Sequence, residues 1–208
     1  MYSHLRNRTL VEQGKLQDAL DAYQQGLAIT KRLSEQDKSN PGWQRDLLPS
    51  YVRVGDVLMT QGKLKDALDA YQQDLAIAKR LSEQDKSNSE WQRNLSVSYE
   101  KVGDGLAAQG KLQEALDAYQ QGLAITERLA EQDKSDSGRQ RELIVSVYKV
   151  GTITARMGGN ANIAWAQEFL RSRLNLAEQY TGPDRQKFID ALNQALQNLV
   201  PKSKKRGK

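Results

Sequence analysis

The stretch Gln109-Gly110-Lys111-Leu112-Gln113-Glu114-Ala115-Leu116-Asp117-Ala118-Tyr119 occurs in three near-copies along the chain. Its opening returns as Gln61-Gly62-Lys63-Leu64 and as Gln13-Gly14-Lys15-Leu16, at a spacing of 48 residues. The segment Glu131-Gln132-Asp133-Lys134-Ser135 returns at the same spacing as Glu83-Gln84-Asp85-Lys86-Ser87 and Glu35-Gln36-Asp37-Lys38-Ser39. Between 11–40 and 107–136, 24 of 30 positions are identical, far beyond coincidence. A fixed period of this length marks a repeat architecture, in which each unit buries itself against its neighbours. A fourth, eroded copy begins near Arg139 and is recognisable through Val147, Val150 and Gly151.

Each unit reads as a helical hairpin. Trp91, Leu95, Tyr99, Val102 and Leu106 fall at steps of three and four, one stripe of an α-helix. Trp43, Leu47, Tyr51, Val54 and Leu58 repeat it one copy earlier. After Gln109-Gly110-Lys111 a second stripe runs through Leu112, Ala115, Leu116, Tyr119, Leu123, Thr126 and Leu129. Glycine at the joint suits a helix C-terminus, where the left-handed backbone favours it. Asn40, Asn88 and Asp136 are N-cap residues, with Pro41 fitting the first helical position. Connections of about 3–5 residues force successive helices antiparallel.

In register, Tyr99, Val102, Gly103, Leu106, Gly110, Ala115, Tyr119 and Gly122 resemble the signature of the tetratricopeptide repeat family. Tyr51, Val54, Gly55, Leu58, Gly62, Ala67 and Tyr71 repeat it, and Asp74 departs at the last small position. The resemblance spans roughly residues 3–180. The helix-ending proline is missing and the period is longer than the family's 34 residues, much as in kinesin-light-chain-like variants. It implies an all-α, right-handed α-solenoid of antiparallel helix pairs with a C-terminal capping helix. The expected organisation is a single solenoid over 1–200, with repeats at 1–39, 40–87, 88–135 and 136–180. A capping helix at 183–200 and a basic disordered tail at 201–208 complete it.

Composition narrows the chemistry. The chain has no cysteine and one histidine, His4, which argues against disulfides, thiolate or histidine metal sites and Ser-His catalysis. No catalytic, cofactor-binding or metal-binding residue is assigned, and no cofactor is expected. The Asp-Lys-Ser loops carry too few carboxylates for a calcium loop, and Gly158-Gly159 lacks the Gly-Lys-Ser/Thr of a phosphate cradle. No apolar run approaches the length of a membrane span, and no secretory signal is read at the start; a cytoplasmic protein is expected. The net charge is +5, but the tail Pro201–Lys208 holds five basic residues and no acidic ones. The remaining body balances 26 basic against 26 acidic residues, so any nucleic-acid contact belongs to the tail alone.

Several local features carry expectations of their own. The first copy lacks the Trp-Gln-Arg lead-in, which predicts a short helix near 4–13 and an uncovered apolar face. That face fits either a partial repeat or self-association at this end. Pro49 stands inside a helix and predicts a kink or break around 45–49. A helix is expected over about 162–180, stopped by Thr181-Gly182-Pro183-Asp184.

In the family, first helices of successive repeats line a concave groove that binds peptides. Projecting the helix phase gives three rows: Arg45, Pro49, Val52, Asp56 and Met59; Arg93, Val97, Glu100, Asp104 and Ala107; Arg141, Val145, Tyr148, Thr152 and Ala155. Arg45, Arg93 and Arg141 recur in register, as a carboxylate-receiving ladder or as partners of nearby acids. Asp56 and Asp104 stand where chaperone-tail-binding members use asparagine, so a carboxylate clamp is absent. Trp43 and Trp91 are expected to pack on the previous repeat, and Tyr23, Tyr71 and Tyr119 in the core. The function expected is a non-catalytic protein–protein interaction scaffold presenting a groove to a peptide or protein. A homo-oligomerising element and the repeat arm of a larger bacterial signalling protein are the alternatives.

Overall fold

The computed structural model describes residues 15–37 and 40–199. The helix expected at 4–13, the association face placed there and the tail 201–208 lie outside the described residues. Those residues form α1 (Leu16–Gln36), α2 (Pro41–Thr60), α3 (Leu64–Gln84), α4 (Ser89–Ala108), α5 (Leu112–Gln132), α6 (Ser137–Arg156), α7 (Asn160–Ser172), α8 (Leu174–Gln179) and α9 (Arg185–Asn198). No strand occurs among them, and no helix there is long and apolar enough to cross a membrane. Sequential helices pair antiparallel, as the hairpin reading expects.

The joints follow the sequence signals. Gly62 and Gly110 take φ of 74° and 79°. Around Gly62, Lys63 N–H donates to Leu58 C=O at 2.9 Å and Gly62 N–H to Met59 C=O at 3.0 Å, a Schellman closure. Lys111 and Gly110 repeat it onto Leu106 and Ala107. Asn88 Oδ1 accepts from the N–H groups of Glu90 and Trp91, Asp136 Oδ1 from those of Gly138 and Arg139, and Asn40 Oδ1 from Gly42. In the loops before them, Ser87 and Ser135 donate to Asp85 and Asp133; these bonds hold both carboxyls below their usual range. The Asp-Lys-Ser segments are turn chemistry.

The contacts divide the chain into two compact units inside α5, one reaching Ala118 and the other starting at Tyr119. In the first, α1 packs on α2, α2 on α3 and α3 on α4, and α2 also touches α4. Leu48, Ala78 and Leu81 form a core cluster onto which Ile77, Trp91 and Leu95 pack. Trp91 thus sits on the previous repeat, as its stripe position implies. In the second, α6 packs on α7, and α9 closes against α6, α7 and α8 around buried Leu170, Ala177 and Leu192.

Two expectations change. α2 continues unbroken through Pro49, so of the kink or break expected at 45–49 the break is absent. Arg45 and Pro49 both lie on the exposed face, where water can serve the carbonyl that loses its donor, while buried Leu47, Leu48 and Val54 anchor the helix on either side of the proline. The helix expected over 162–180 is interrupted at Arg173, which takes φ −113° and ψ 2°. Ser172 Oγ donates back to the Phe169 carbonyl, and Arg173 lies 4.1 Å over the Phe169 ring while reaching Glu127 at 3.5 Å. Side-chain bonding and a tertiary ion pair override helix propensity there.

Candidate functional site

The first-helix rows of the first unit border a cavity. Arg45, Asp46, Leu48, Pro49 and Val52 of α2 form one wall; Glu90, Asn94, Val97 and Ser98 of α4 form the other. It encloses about 350 Å³. Of the expected groove residues, it brings together Arg45, Pro49, Val52 and Val97. Arg93 is exposed on α4 outside the lining, and Ala107, expected at the end of its row, is buried.

Asp74 of α3 also lines this cavity. It is 1% exposed, and neither carboxylate oxygen has a hydrogen-bond partner. Ser98, beside it, directs its hydroxyl to the Asn94 carbonyl at 2.9 Å. Burial pushes the Asp74 carboxyl up to about 7 against the pull of the Lys101 charge, with Asp56 adding to the rise.

Asp56, Met59, Glu100 and Asp104 are half-buried. Asp56 is engaged within the unit: its Oδ1 accepts from the Tyr71 hydroxyl and from Lys101 Nζ, each at 2.7 Å. Burial, then that bond, raises the Tyr71 hydroxyl pKa. Arg45 lies 3.7 Å from Asp46 and 3.8 Å from Glu90.

In the second unit Arg141 is exposed and meets Asp184 at 3.3 Å, with its guanidinium 6.0 Å from the Phe188 ring. Tyr148 is 38% exposed, Val145 half-buried, and Thr152 Oγ1 donates to the Tyr148 carbonyl at 2.7 Å. A separate cavity of about 470 Å³ lies among Glu127, Lys134, Leu143, Arg173 and Tyr180. Trp165, 43% exposed, stacks on Phe169 at 4.7 Å.

Sequence reasoning passed over the glutamine that precedes each recurring arginine, in Trp43-Gln44-Arg45, Trp91-Gln92-Arg93 and Arg139-Gln140-Arg141. Gln44, Gln92 and Gln140 donate to the carbonyls of Ser34, Ser82 and Ala130, fastening each first helix to the last turn of the helix before it. Recurrence at 48-residue spacing was the available signal.

A tetratricopeptide repeat family model matches residues 50–85 and 94–134. No curated protein matches the chain. Among solved structures, the nearly identical TPR-like repeats of a kinesin-light-chain-type protein from Podosopora anserina are similar at 20% identity and TM-score 0.61, covering 96% of this chain and 90% of that one. BtubC (BKLC) from P. vanneervenii gives 13% and 0.66, covering 95% and 75%. The apo form of RapI gives 14% and 0.65, covering 93% and 49%. At these identities the likeness is one of fold. Residues 50–85 and 94–134 are thus tetratricopeptide repeats, set in a chain whose hairpin joints and helix order give a TPR-like helical-repeat fold.

Proposed function

We propose that the chain is a non-catalytic interaction module that holds a peptide or protein partner on the first-helix face of its repeats. Tetratricopeptide repeats are typically protein-binding modules and usually non-catalytic, which gives the reading its class. The observation that carries it is the cavity between α2 and α4, walled by Pro49, Val52 and Val97 and rimmed by Arg45 and Glu90. Helices fix these side chains before a partner arrives, so little ordering entropy is lost on this side.

Partner capture from the source cell tests it, comparing wild type with Val52→Glu/Val97→Glu and with Arg45, Arg93 and Arg141 all changed to Ala. A partner held by wild type and lost by the first variant, at unchanged helicity, supports the groove. Unchanged recovery by both variants dismisses it.

A further inference from the structure

The copy containing Asp74 is the odd one: the equivalent positions in its neighbours are Gly26 and Gly122. A carboxylate placed in a core with neither oxygen served is costly, because burial of an uncompensated charge or polar group is among the most destabilising arrangements. The nearby cations are committed to other acids. Lys101 Nζ bonds Asp56 at 2.7 Å, and Arg45 lies against Asp46 and Glu90. The cavity above Asp74 therefore has three carboxylates, Asp46, Asp74 and Glu90, against the single guanidinium of Arg45. Leu48, Pro49, Val52 and Val97 give it apolar walls.

We propose that this cavity receives an arginine side chain of a peptide partner, with the guanidinium held by both oxygens of Asp74. Two unserved oxygens on one carboxylate match the paired N–H groups of a guanidinium, which bonds carboxylates in a fork. The apolar walls suit the methylene stem, and a guanidinium leaves water more readily than an ammonium. Arginine entry serves both orphan acceptors at once. This rests on the groove being the partner-binding face, and it names what that face selects.

The test titrates the full chain with an acetylated, amidated Ala-Ala-Arg-Ala-Ala peptide, following the Asp74 carboxyl carbon and the Val52 and Val97 methyls by NMR. The same peptide with citrulline, isosteric but uncharged, is the control. Arginine is expected to bind at least about tenfold tighter than citrulline, an advantage lost in both Asp74→Asn and Asp74→Gly. Asp74→Gly installs the residue that the neighbouring copies carry, which guards against a folding artefact. Binding should also tighten from about pH 6 to pH 8 as Asp74 ionises. The charged groups around Asp74 are Asp56 of α2 and Lys101 of α4, which act on it directly, and Arg45, Asp46 and Glu90, which line the same cavity. Equal binding of the two peptides, equal binding by Asp74→Gly, or shifts that avoid Val52 and Val97 would overturn the proposal. The partner-capture comparison with Val52→Glu/Val97→Glu reads the groove itself, so the two ideas fail separately.

Discussion

The Tyr71 hydroxyl donates to Asp56 Oδ1 at 2.7 Å, and the same oxygen accepts from Lys101 Nζ at 2.7 Å. One carboxylate thereby joins α2, α3 and α4. The helix phase had placed Asp56 on the groove face, and half of its side chain is exposed there, but its acceptor is spent inside the repeat. Tyr71→Phe removes the hydroxyl and keeps the ring. Since water can reach Asp56 in its place, the expected loss is about 1 kcal/mol in urea unfolding. An unchanged midpoint would show that the bond contributes nothing to stability.

Two glycines with opposite surroundings separate backbone entropy from packing. A Cβ on Gly55 would fall within the Tyr71 ring, whereas a Cβ on Gly26 meets nothing within 4 Å inside α1. Gly26→Ala should therefore stabilise by about 0.5–1 kcal/mol, through helix propensity and a less mobile unfolded chain. Gly55→Ala should destabilise by about 1–3 kcal/mol, because the buried Tyr71 ring has little room to yield. Equal effects at the two sites in thermal unfolding would contradict this packing.

Stability should fall with rising pH through the titration of Asp74. Its folded value near 7 lies above the ordinary 3.8, so between those values the folded chain holds a proton that the unfolded chain has released. Folding is then favoured at the acid end, and the advantage disappears as pH climbs through about 7. At about 1.36 kcal/mol per pH unit, the difference is on the order of 4 kcal/mol. The contrast between wild type and Asp74→Asn isolates it from other carboxylates: the variant's relative stability should rise from about pH 4 to pH 7 and then level off. A pH-independent difference would show that Asp74 titrates normally.

How far the sequence could be read depended on whether a feature repeats. The joints at Gly62 and Gly110 and the caps at Asn88 and Asp136 are local rules, repeated at 48 residues, and each appears where its residues stand. Arg45, Pro49, Val52 and Val97 meet at one cavity because helix phase is a one-dimensional property. Asp74 was visible as a departure from a small-residue position, but its lack of partners depends on where Ser98 and Lys101 point. The interruption at Arg173 was invisible for the same reason, since Ser172 and Arg173 are ordinary helix residues until Phe169 and Glu127 come within reach.

Pro49 offers the last test, because its equivalents Val97 and Val145 show what the position otherwise carries. Pro49→Val restores an N–H facing the Arg45 carbonyl within a helix that is already continuous. Removing proline from a helix interior is worth about 3 kcal/mol, and the more mobile unfolded chain takes back about 0.4–1 kcal/mol. Service of the exposed carbonyl by water reduces the remainder, so a net gain of about 1–2 kcal/mol is expected in urea unfolding. Valine keeps the cavity wall apolar, so the arginine peptide should bind within about threefold of wild type, less than the loss of one good hydrogen bond would produce. Destabilisation by Pro49→Val would mean that the proline shapes α2 for a reason other than its missing donor. Loss of peptide binding at normal stability would place that reason in the cavity.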